Sequence, residues 1–145
     1  MVGLLDVNVL VALSWPEHEA FARSHRWFAR HAAAGWATCP ITQAGFVRVV
    51  SNPAFSMLTI TPREALANLA ITMKHSGHHF WRDDISLVQA TEPFAARMVG
   101  HQQITDAYLL GLAIHHKGKL VTLDRATLSL LPDNTFSCHL DVLDT

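Results

Sequence analysis

The sequence predicts an α/β fold in which helices cover both faces of a central, mostly parallel sheet. Short apolar runs, each long enough for a buried strand, alternate along the chain with longer segments that carry helix-capping residues. The chain has 145 residues, and 50% of them are hydrophobic. This size and composition are typical of one globular domain, so we expect residues 1–145 to form a single domain.

Five segments have the composition of strands. VGLLD (2–6) is a short apolar run, and the other strand candidates are, in chain order, WATCP (36–40), HHFWR (78–82), KLVTLD (119–124) and CHLDVL (138–143). Because helical segments separate most of them, neighbouring strands are expected to run parallel, with helices on both faces of the sheet.

Five other segments carry helix signals, and they cover residues 17–35, 42–52, 61–77, 91–100 and 105–118. Cap-type and stop residues mark several of their ends: Thr42, Thr61 and Thr105 at starts, Gly35 and Gly118 at stops. The strongest start is at 61–77, where Thr61 is the expected N-cap and Pro62 takes the first helical position. Glu64 then nearly completes a capping box with Thr61.

The charge balance and the cysteine content exclude several classes of protein. A formal net charge of -1 argues against a non-specific nucleic-acid binder with a basic face. Cys39 and Cys138 are far apart, which is typical of reduced thiols and not of a disulfide framework. The start of the chain lacks the pattern of a signal peptide, and no stretch approaches the ~20 apolar residues that span a bilayer. We therefore expect a cytoplasmic protein that does not enter a membrane.

Three aspartates mark the expected functional edge of the sheet. Asp6 ends the first strand, Asp106 lies in the first turn of helix 105–118, and Asp124 ends the strand after that helix. The carboxyl ends of parallel strands and the starts of the following helices share one edge, so these carboxylates converge if their strands are neighbours. Taken alone, each aspartate has a simpler interpretation: Asp6 as a helix cap, Asp106 as a first-turn acid and Asp124 as a turn residue. Only their joint placement indicates a site.

Converging carboxylates repel one another unless a proton or a cation neutralises them. Ligand sets made only of oxygen suit Mg²⁺ or Mn²⁺. An ion of this kind lowers the pKa of water and stabilises charge on a phosphoryl group. The residues therefore predict metal-assisted hydrolysis of phosphodiester bonds.

The chain resembles the PIN-domain ribonucleases, and specifically the VapC-type toxins of bacterial toxin–antitoxin pairs. Three segments carry the resemblance: LLDVNVLVAL (4–13), TCPITQAGFVRVVSNP (38–53) and ITDAYLLGLAIHHKGKLVTLDRA (104–126). The resemblance covers essentially the whole chain. It implies a three-layer α/β/α sandwich, dependence on Mg²⁺ or Mn²⁺, and endonucleolytic cleavage of RNA. It also implies a cognate VapB-type antitoxin that plugs the active site, and usually a homodimer.

The resemblance assigns roles to five polar residues. Asp6, Asp106 and Asp124 match the family's acidic positions and are expected to be both catalytic residues and metal ligands. Asn8 and Thr122 match the accompanying polar positions. We expect these two to orient the carboxylates through hydrogen bonds.

Gln43 departs from the family pattern, which usually has a Glu early in the helix after the second strand. An amide can still hydrogen-bond to water or to another ligand, but it brings no charge. We expect this change to weaken metal binding or to alter the number of ions bound. It leaves the fold prediction unaffected.

Three further residues are candidates for contact with substrate. Arg125 follows Asp124 at the same edge and is suited to binding phosphate. His101 lies just before the helix of Asp106 and is a second candidate for phosphate. Trp15 lies in a loop expected over the cleft, where it would touch RNA, although tryptophans are more often core or interface anchors.

Two pairs of neighbouring residues have an interpretation that does not involve a functional site. Asp83 and Asp84 follow a strand and are able to reach the acidic edge, but solvated turn acids are the better interpretation. His115 and His116 lie near a helix C-terminus, where cations interact favourably with the helix dipole.

Two other functions are compatible with the sequence. One is a catalytically weak PIN-like module that binds RNA or an antitoxin, since the helix Glu is missing. The other is an aspartyl-phosphate phosphatase, a class that begins with Asp-X-Asp after its first strand. Asn8 stands where that class has its general acid, which disfavours it. Binding of divalent metal would separate an active nuclease from the weak module.

Overall fold

A computed structural model describes residues 1–55 and 60–144, and its centre is a parallel sheet. Five strands occur in the described residues, in the spatial order β3-β2-β1-β4-β5. Their bounds are Gly3–Leu5 (β1), Trp36–Thr38 (β2), His78–Phe80 (β3), Lys119–Thr122 (β4) and Leu140–Val142 (β5). All five predicted strands are present, each shorter than the segment predicted for it.

Strand β1 lies at the centre of the sheet and fixes its register. Leu4 pairs with Ala37 of β2 on one side and with Leu120 of β4 on the other. These three side chains belong to one hydrophobic core, whereas the adjacent Leu5 and Val121 belong to a second. The alternation follows from the two-residue period of a strand. Both faces of the sheet are therefore buried at its three central strands, β2, β1 and β4, as is typical of parallel sheets.

Six α-helices occur in the described residues. Their bounds are Val7–Ser14 (α1), Phe21–His31 (α2), Pro40–Val50 (α3), Pro62–Thr72 (α4), Leu87–Thr91 (α5) and Ile104–His115 (α6). Side chains of α1 to α4 enter the core that contains Leu5, and those of α5 and α6 enter the core that contains Leu4. The predicted arrangement, helices on both faces of a parallel sheet, is confirmed. In the ranges described, none of these helices is both long and apolar enough to cross a membrane.

Helix α1 is missing from the sequence-based prediction. Its residues, VNVLVALS, form an almost continuous apolar run without the polar face that marks an amphipathic helix. Four consecutive residues, from Val9 to Ala12, are buried. The helix packs against α2, α3 and β4, so almost its whole circumference is covered. Periodicity alone cannot distinguish a buried helix of this kind from a strand.

Two of the predicted helix starts are wrong, and one is confirmed. Helix α3 begins at Pro40 after an N-cap at Cys39, and Thr42 lies inside the helix, its hydroxyl accepting from the Cys39 N–H at 3.0 Å. Helix α6 begins at Ile104 because a 3₁₀ turn over His101–Gln103 runs directly into it, so Thr105 is not its cap. Thr61 does cap α4, accepting from the Glu64 N–H at 3.1 Å.

Other predicted helices are shorter than expected. The segment 17–35 becomes α2 and a 3₁₀ turn over Ala32–Ala34, which ends at Gly35 with φ +117°. The segment 91–100 is a 3₁₀ turn over Glu92–Arg97 that continues from the five-residue helix α5. In both places a helical pattern is realised partly in the tighter 3₁₀ form, which is frequent at helix ends.

Candidate active site

The three predicted aspartates line one cleft at the carboxyl edge of the sheet. Asp6 directly follows β1, Asp124 lies two residues after the end of the neighbouring strand β4, and Asp106 is in the first turn of α6. The cleft has a volume of about 360 Å³, and we call it the acidic cleft; its lining comprises Asp6, Val7, Asn8, Val11, His18, Val49, Phe55, Asp106 and Asp124. The expected convergence of the carboxylates is therefore observed.

Asp6 is both the cap of a helix and a wall of the cleft. Its Oδ1 accepts from the Val7 N–H at 2.7 Å, which caps α1, and its Oδ2 accepts from Thr122 Oγ1 at 2.7 Å. The residue is only 7% exposed. Burial raises the pKa of the Asp6 carboxyl above its usual value, and the two hydrogen bonds oppose that rise. These bonds fix both carboxylate oxygens in place.

Thr122 connects the polar groups on this side of the cleft. Its buried hydroxyl donates to Asp6 and accepts from Asn8 Nδ2 at 3.2 Å and from the Asp124 N–H at 3.1 Å. Asn8 Oδ1 in turn accepts from the Leu123 N–H at 3.2 Å. Thr122 therefore contacts Asp6 and Asp124 directly, whereas Asn8 is linked to them through its hydrogen bond with Thr122.

Asp106 and Asp124 complete the negative charge of the cleft. Asp124 Oδ1 accepts from the Ala126 N–H at 2.9 Å. Burial, together with the charges of Asp6 and Asp124, raises the pKa of Asp106 from 3.8 to about 6. Among the residues that line the cleft in the described ranges, there is no Lys or Arg. Oxygen donors that carry uncompensated charge fit Mg²⁺ or Mn²⁺.

Gln43 lies in the first turn of α3 and binds to a neighbouring strand. Its Nε2 donates to Thr38 Oγ1 at 2.9 Å and lies 3.7 Å from Met73 Sδ. Thr38 Oγ1 is also 2.8 Å from His78 Nε2. The described lining of the acidic cleft does not include Gln43, so its expected effect on metal binding remains a prediction.

The three candidate substrate contacts lie in different surroundings. Arg125 is exposed beside the cleft, and its guanidinium donates to the Asp144 carboxylate. Trp15 packs against Phe55 in a T-shaped, edge-to-face arrangement, with ring centroids 4.9 Å apart. It lines an apolar pocket next to the acidic cleft, and Phe55 lines both. His101 is exposed and borders a separate shallow pocket in the 3₁₀ turn before α6. Their contacts with substrate remain predictions.

His18 is a cleft residue that sequence reasoning missed. It lies in the turn after α1 and lines the acidic cleft. Its Nδ1 accepts from the Ala20 N–H at 3.0 Å, which assigns the proton of the neutral ring to Nε2. The sequence holds no signal for this position, because only the geometry of the turn after α1 brings His18 to Asp6.

Asp83 and Asp84 are not among the described residues that line the acidic cleft. Asp83 lies beside Tyr108 and Cys39; burial raises the pKa of Asp83, and burial and the Asp83 charge raise the pKa of Tyr108 to about 12. Asp84 Oδ1 lies 3.2 Å from both His115 Nε2 and His116 Nε2. The interpretation of these two histidines as dipole partners alone is therefore incomplete.

Comparison with known proteins places the chain in a family of small nuclease-like domains. The family model described as PIN domain matches residues 3–130. The chain therefore belongs to the PIN-domain family. It is 44% identical to Ribonuclease VapC39 of Mycobacterium tuberculosis over 87% of this chain and 91% of that protein. It is 45% identical to Ribonuclease VapC38 of the same organism over 89% of each chain.

Two solved structures share the fold at low sequence identity. VapBC2 from Rickettsia felis, bound to a DNA fragment from its promoter, matches with a TM-score of 0.64 and 14% identity, over 99% of this chain and 100% of that chain. Mycobacterium tuberculosis VapC20, described as a sarcin–ricin-loop-cleaving toxin, matches with a TM-score of 0.59 and 13% identity, over 93% and 92%. At these identities the likeness confirms the α/β fold.

Proposed function

We propose that this protein is an endoribonuclease that acts as the toxin of a type II toxin–antitoxin pair and hydrolyses RNA phosphodiester bonds with Mg²⁺ or Mn²⁺. The observation that carries the proposal is the convergence of Asp6, Asp106 and Asp124 in one cleft. The relatives named Ribonuclease VapC support the choice of RNA as the substrate.

The three aspartates are the residues that would hold the ion. A divalent cation bound there supplies positive charge that offsets the charge developing on the phosphodiester. The chain contributes the orientation of the ligands: Val7 N–H and Thr122 Oγ1 hold the two oxygens of Asp6, and Ala126 N–H holds one oxygen of Asp124. Pre-set ligands need no reorganisation when substrate binds.

Asp106 is the carboxyl whose protonation changes near neutral pH. With a pKa of about 6, it is largely ionised at pH 7.5 and largely protonated at pH 5. A protonated Asp106 is a poor metal ligand. Protons therefore compete with the metal at Asp106, and at sub-saturating metal concentration we expect activity to fall on the acid side of pH 6.

The partners follow from the same proposal. VapC20, which shares this fold, is described as a toxin, and on the resemblance to VapC-type toxins we propose a VapB-type antitoxin as the partner of this chain. We also propose that residues 1–145 act as a single domain in a cytoplasmic homodimer. Co-expression with the neighbouring small reading frame, followed by size-exclusion chromatography with light scattering, tests both associations.

The decisive test is to map new RNA 5′ ends after brief induction of this chain, and to repeat the cleavage with purified protein. Asp6→Asn is the matched variant, because the amide keeps an oxygen that accepts from Val7 while removing the charge. We expect discrete cleavage by the wild type that EDTA abolishes and Mn²⁺ restores, and none by the variant. Undiminished cleavage in EDTA, or equal cleavage by Asp6→Asn purified in parallel, would contradict the proposal.

One observation favours the weaker alternative, a PIN-like module that binds RNA or antitoxin without cutting. Gln43 stands in place of the usual Glu, and its amide is bonded to Thr38. If metal binds normally but the wild type yields no new 5′ ends, the module is the better description. RNA retention by the metal-loaded protein would then be the expected activity.

A further inference from the structure

A second cluster of ligand-type side chains lies at the other end of α6 from the acidic cleft. Asp84 Oδ1 is 3.2 Å from His115 Nε2 and 3.2 Å from His116 Nε2. One ligand atom from each of the three residues lies within 4.8 Å of the others. We propose that Asp84, His115 and His116 form a Zn²⁺ site that is separate from the acidic cleft and does not depend on the proposed nuclease activity.

The distances from Asp84 to the two histidines match the spacing of ligand atoms in a zinc site. A tetrahedral Zn²⁺ lies about 2.0–2.1 Å from His nitrogen and carboxylate oxygen, which places neighbouring ligand atoms about 3.3 Å apart. The two separations of 3.2 Å agree with this value. The Arg82 carbonyl oxygen is also 3.2 Å from His116 Nε2 and offers a further oxygen at the same spacing. Two of the three separations therefore already have the spacing of a zinc site, and the third, between the two histidine nitrogens, is within 4.8 Å.

Packing holds the imidazole of His116 in position. The ring stacks on Trp81, with centroids 4.7 Å apart and planes inclined by 10°. Trp81 is itself buried and lies against Gly118, where a Cβ would come within 2.5 Å of its ring. The ring of His115 meets that of His116 edge-on, at 5.2 Å and 85°. The two rings thus direct one nitrogen each towards a single carboxylate oxygen from different directions.

The donor set distinguishes this cluster from the acidic cleft. Two imidazole nitrogens and one carboxylate suit Zn²⁺, whereas Mg²⁺ prefers oxygen alone. The Asp84 and His115 side chains are 48% and 40% exposed, so water has room to complete the coordination. Binding would join the segment after β3 to the C-terminal end of α6. A ligand that binds only the folded chain raises its stability.

The test is a Zn²⁺ titration of tag-free protein by calorimetry, in Mg²⁺ sufficient to occupy the acidic cleft. Asp84→Asn, His115→Gln and His116→Gln each remove one ligand. His25→Gln is the control for an unrelated exposed histidine, and Asp124→Asn is the control for the acidic cleft. Co²⁺ absorption reports nitrogen ligation independently, and thermal unfolding with and without Zn²⁺ reports linkage to folding.

We expect one Zn²⁺ per chain, a loss of at least about tenfold in affinity for each ligand variant, and wild-type affinity in both controls. Zn²⁺ should raise the Tm of the wild type and of Asp124→Asn, but not that of His116→Gln. Absence of Zn²⁺ binding, equal affinity in the ligand variants, or loss of binding in Asp124→Asn would overturn the proposal. In the first two cases the cluster is a pair of His–Asp hydrogen bonds only.

Discussion

The Thr122 hydroxyl donates to Asp6 Oδ2 at 2.7 Å and so joins two residues that are 116 positions apart in the chain. The same oxygen accepts from Asn8 and from the backbone of Asp124. One hydroxyl thereby links the ends of two neighbouring strands to two of the three acidic residues of the cleft.

Replacing Thr122 tests this link. In Thr122→Val the buried Asp6 carboxylate loses a donor, which we expect to lower the free energy of unfolding by about 1–3 kcal/mol. The pKa of Asp6 should rise further, since this hydrogen bond lowers it, and RNA cleavage should fall. Thr122→Ser keeps the hydroxyl and should retain most of the free energy of unfolding and most of the RNA cleavage. Urea unfolding and cleavage rates of the two variants provide the comparison; equal losses in both would mean that the methyl group matters and the hydroxyl does not.

The stability of the metal-free protein should depend on pH through Asp106. Its pKa is raised from 3.8 to about 6, so the folded state binds this proton more tightly than the unfolded state. The resulting stabilisation is complete below about pH 3.8 and is lost as the pH rises through about 6. We therefore expect Asp106→Asn to become progressively more stable than the wild type between about pH 4 and pH 6.5, with a plateau above.

The measurement is urea unfolding of both proteins in EDTA across this pH range, and again in saturating Mn²⁺. The metal should reverse the order of stability above pH 6.5, because only the wild type keeps all three carboxylates. A stability difference that does not vary with pH would show that Asp106 titrates at its ordinary value.

Restoring an acid at Gln43 tests the charge of the metal site. Gln43→Glu adds a negative charge in the first turn of α3, at the same sheet edge, and it removes the donor to Thr38. We expect tighter Mn²⁺ binding, since each added ligand charge attracts a divalent ion. Gln43→Met is the matched neutral control, because it also lacks the donor but adds no charge. Calorimetric titration that gives equal Mn²⁺ affinity for all three proteins would place Gln43 outside the metal shell.

We expect Arg125 to contribute to RNA binding and not to metal binding. Its guanidinium is exposed at the rim of the cleft and pairs with Asp144, and surface pairs of this kind exchange readily for a phosphate partner. We expect Arg125→Ala to raise the KM for RNA several-fold while leaving kcat and Mn²⁺ affinity unchanged. Arg30→Ala, in the last turn of α2, controls for the loss of one positive charge elsewhere. The same KM in both variants would assign the effect to net charge alone.

The sequence predicts the sheet and the acidic residues for the same reason. Apolar runs that end in Asp6 and Asp124 and alternate with helices are typical of buried parallel strands, and parallel topology then brings the strand ends together. Helix α1 escapes prediction because it is buried on most sides and has no polar stripe. His18 reaches the acidic cleft through turn geometry, and the pairing of Asp84 with His115 and His116 depends on the path of residues 81–84. Neither contact has a local sequence pattern.

The position of β1 in the middle of the sheet has a consequence for synthesis of the chain. Residues 3–5 leave the ribosome well before one of their two neighbours in the sheet, β4, at Lys119–Thr122. Until β4 has emerged, Asp6 lacks both its Thr122 donor and the nearby Asp124. A chain interrupted before this point has no assembled cleft, so a cell that makes the protein is exposed to its proposed activity only after β4 and Asp124 have been made. The same long-range pairing is expected to make folding slow compared with that of a helical bundle.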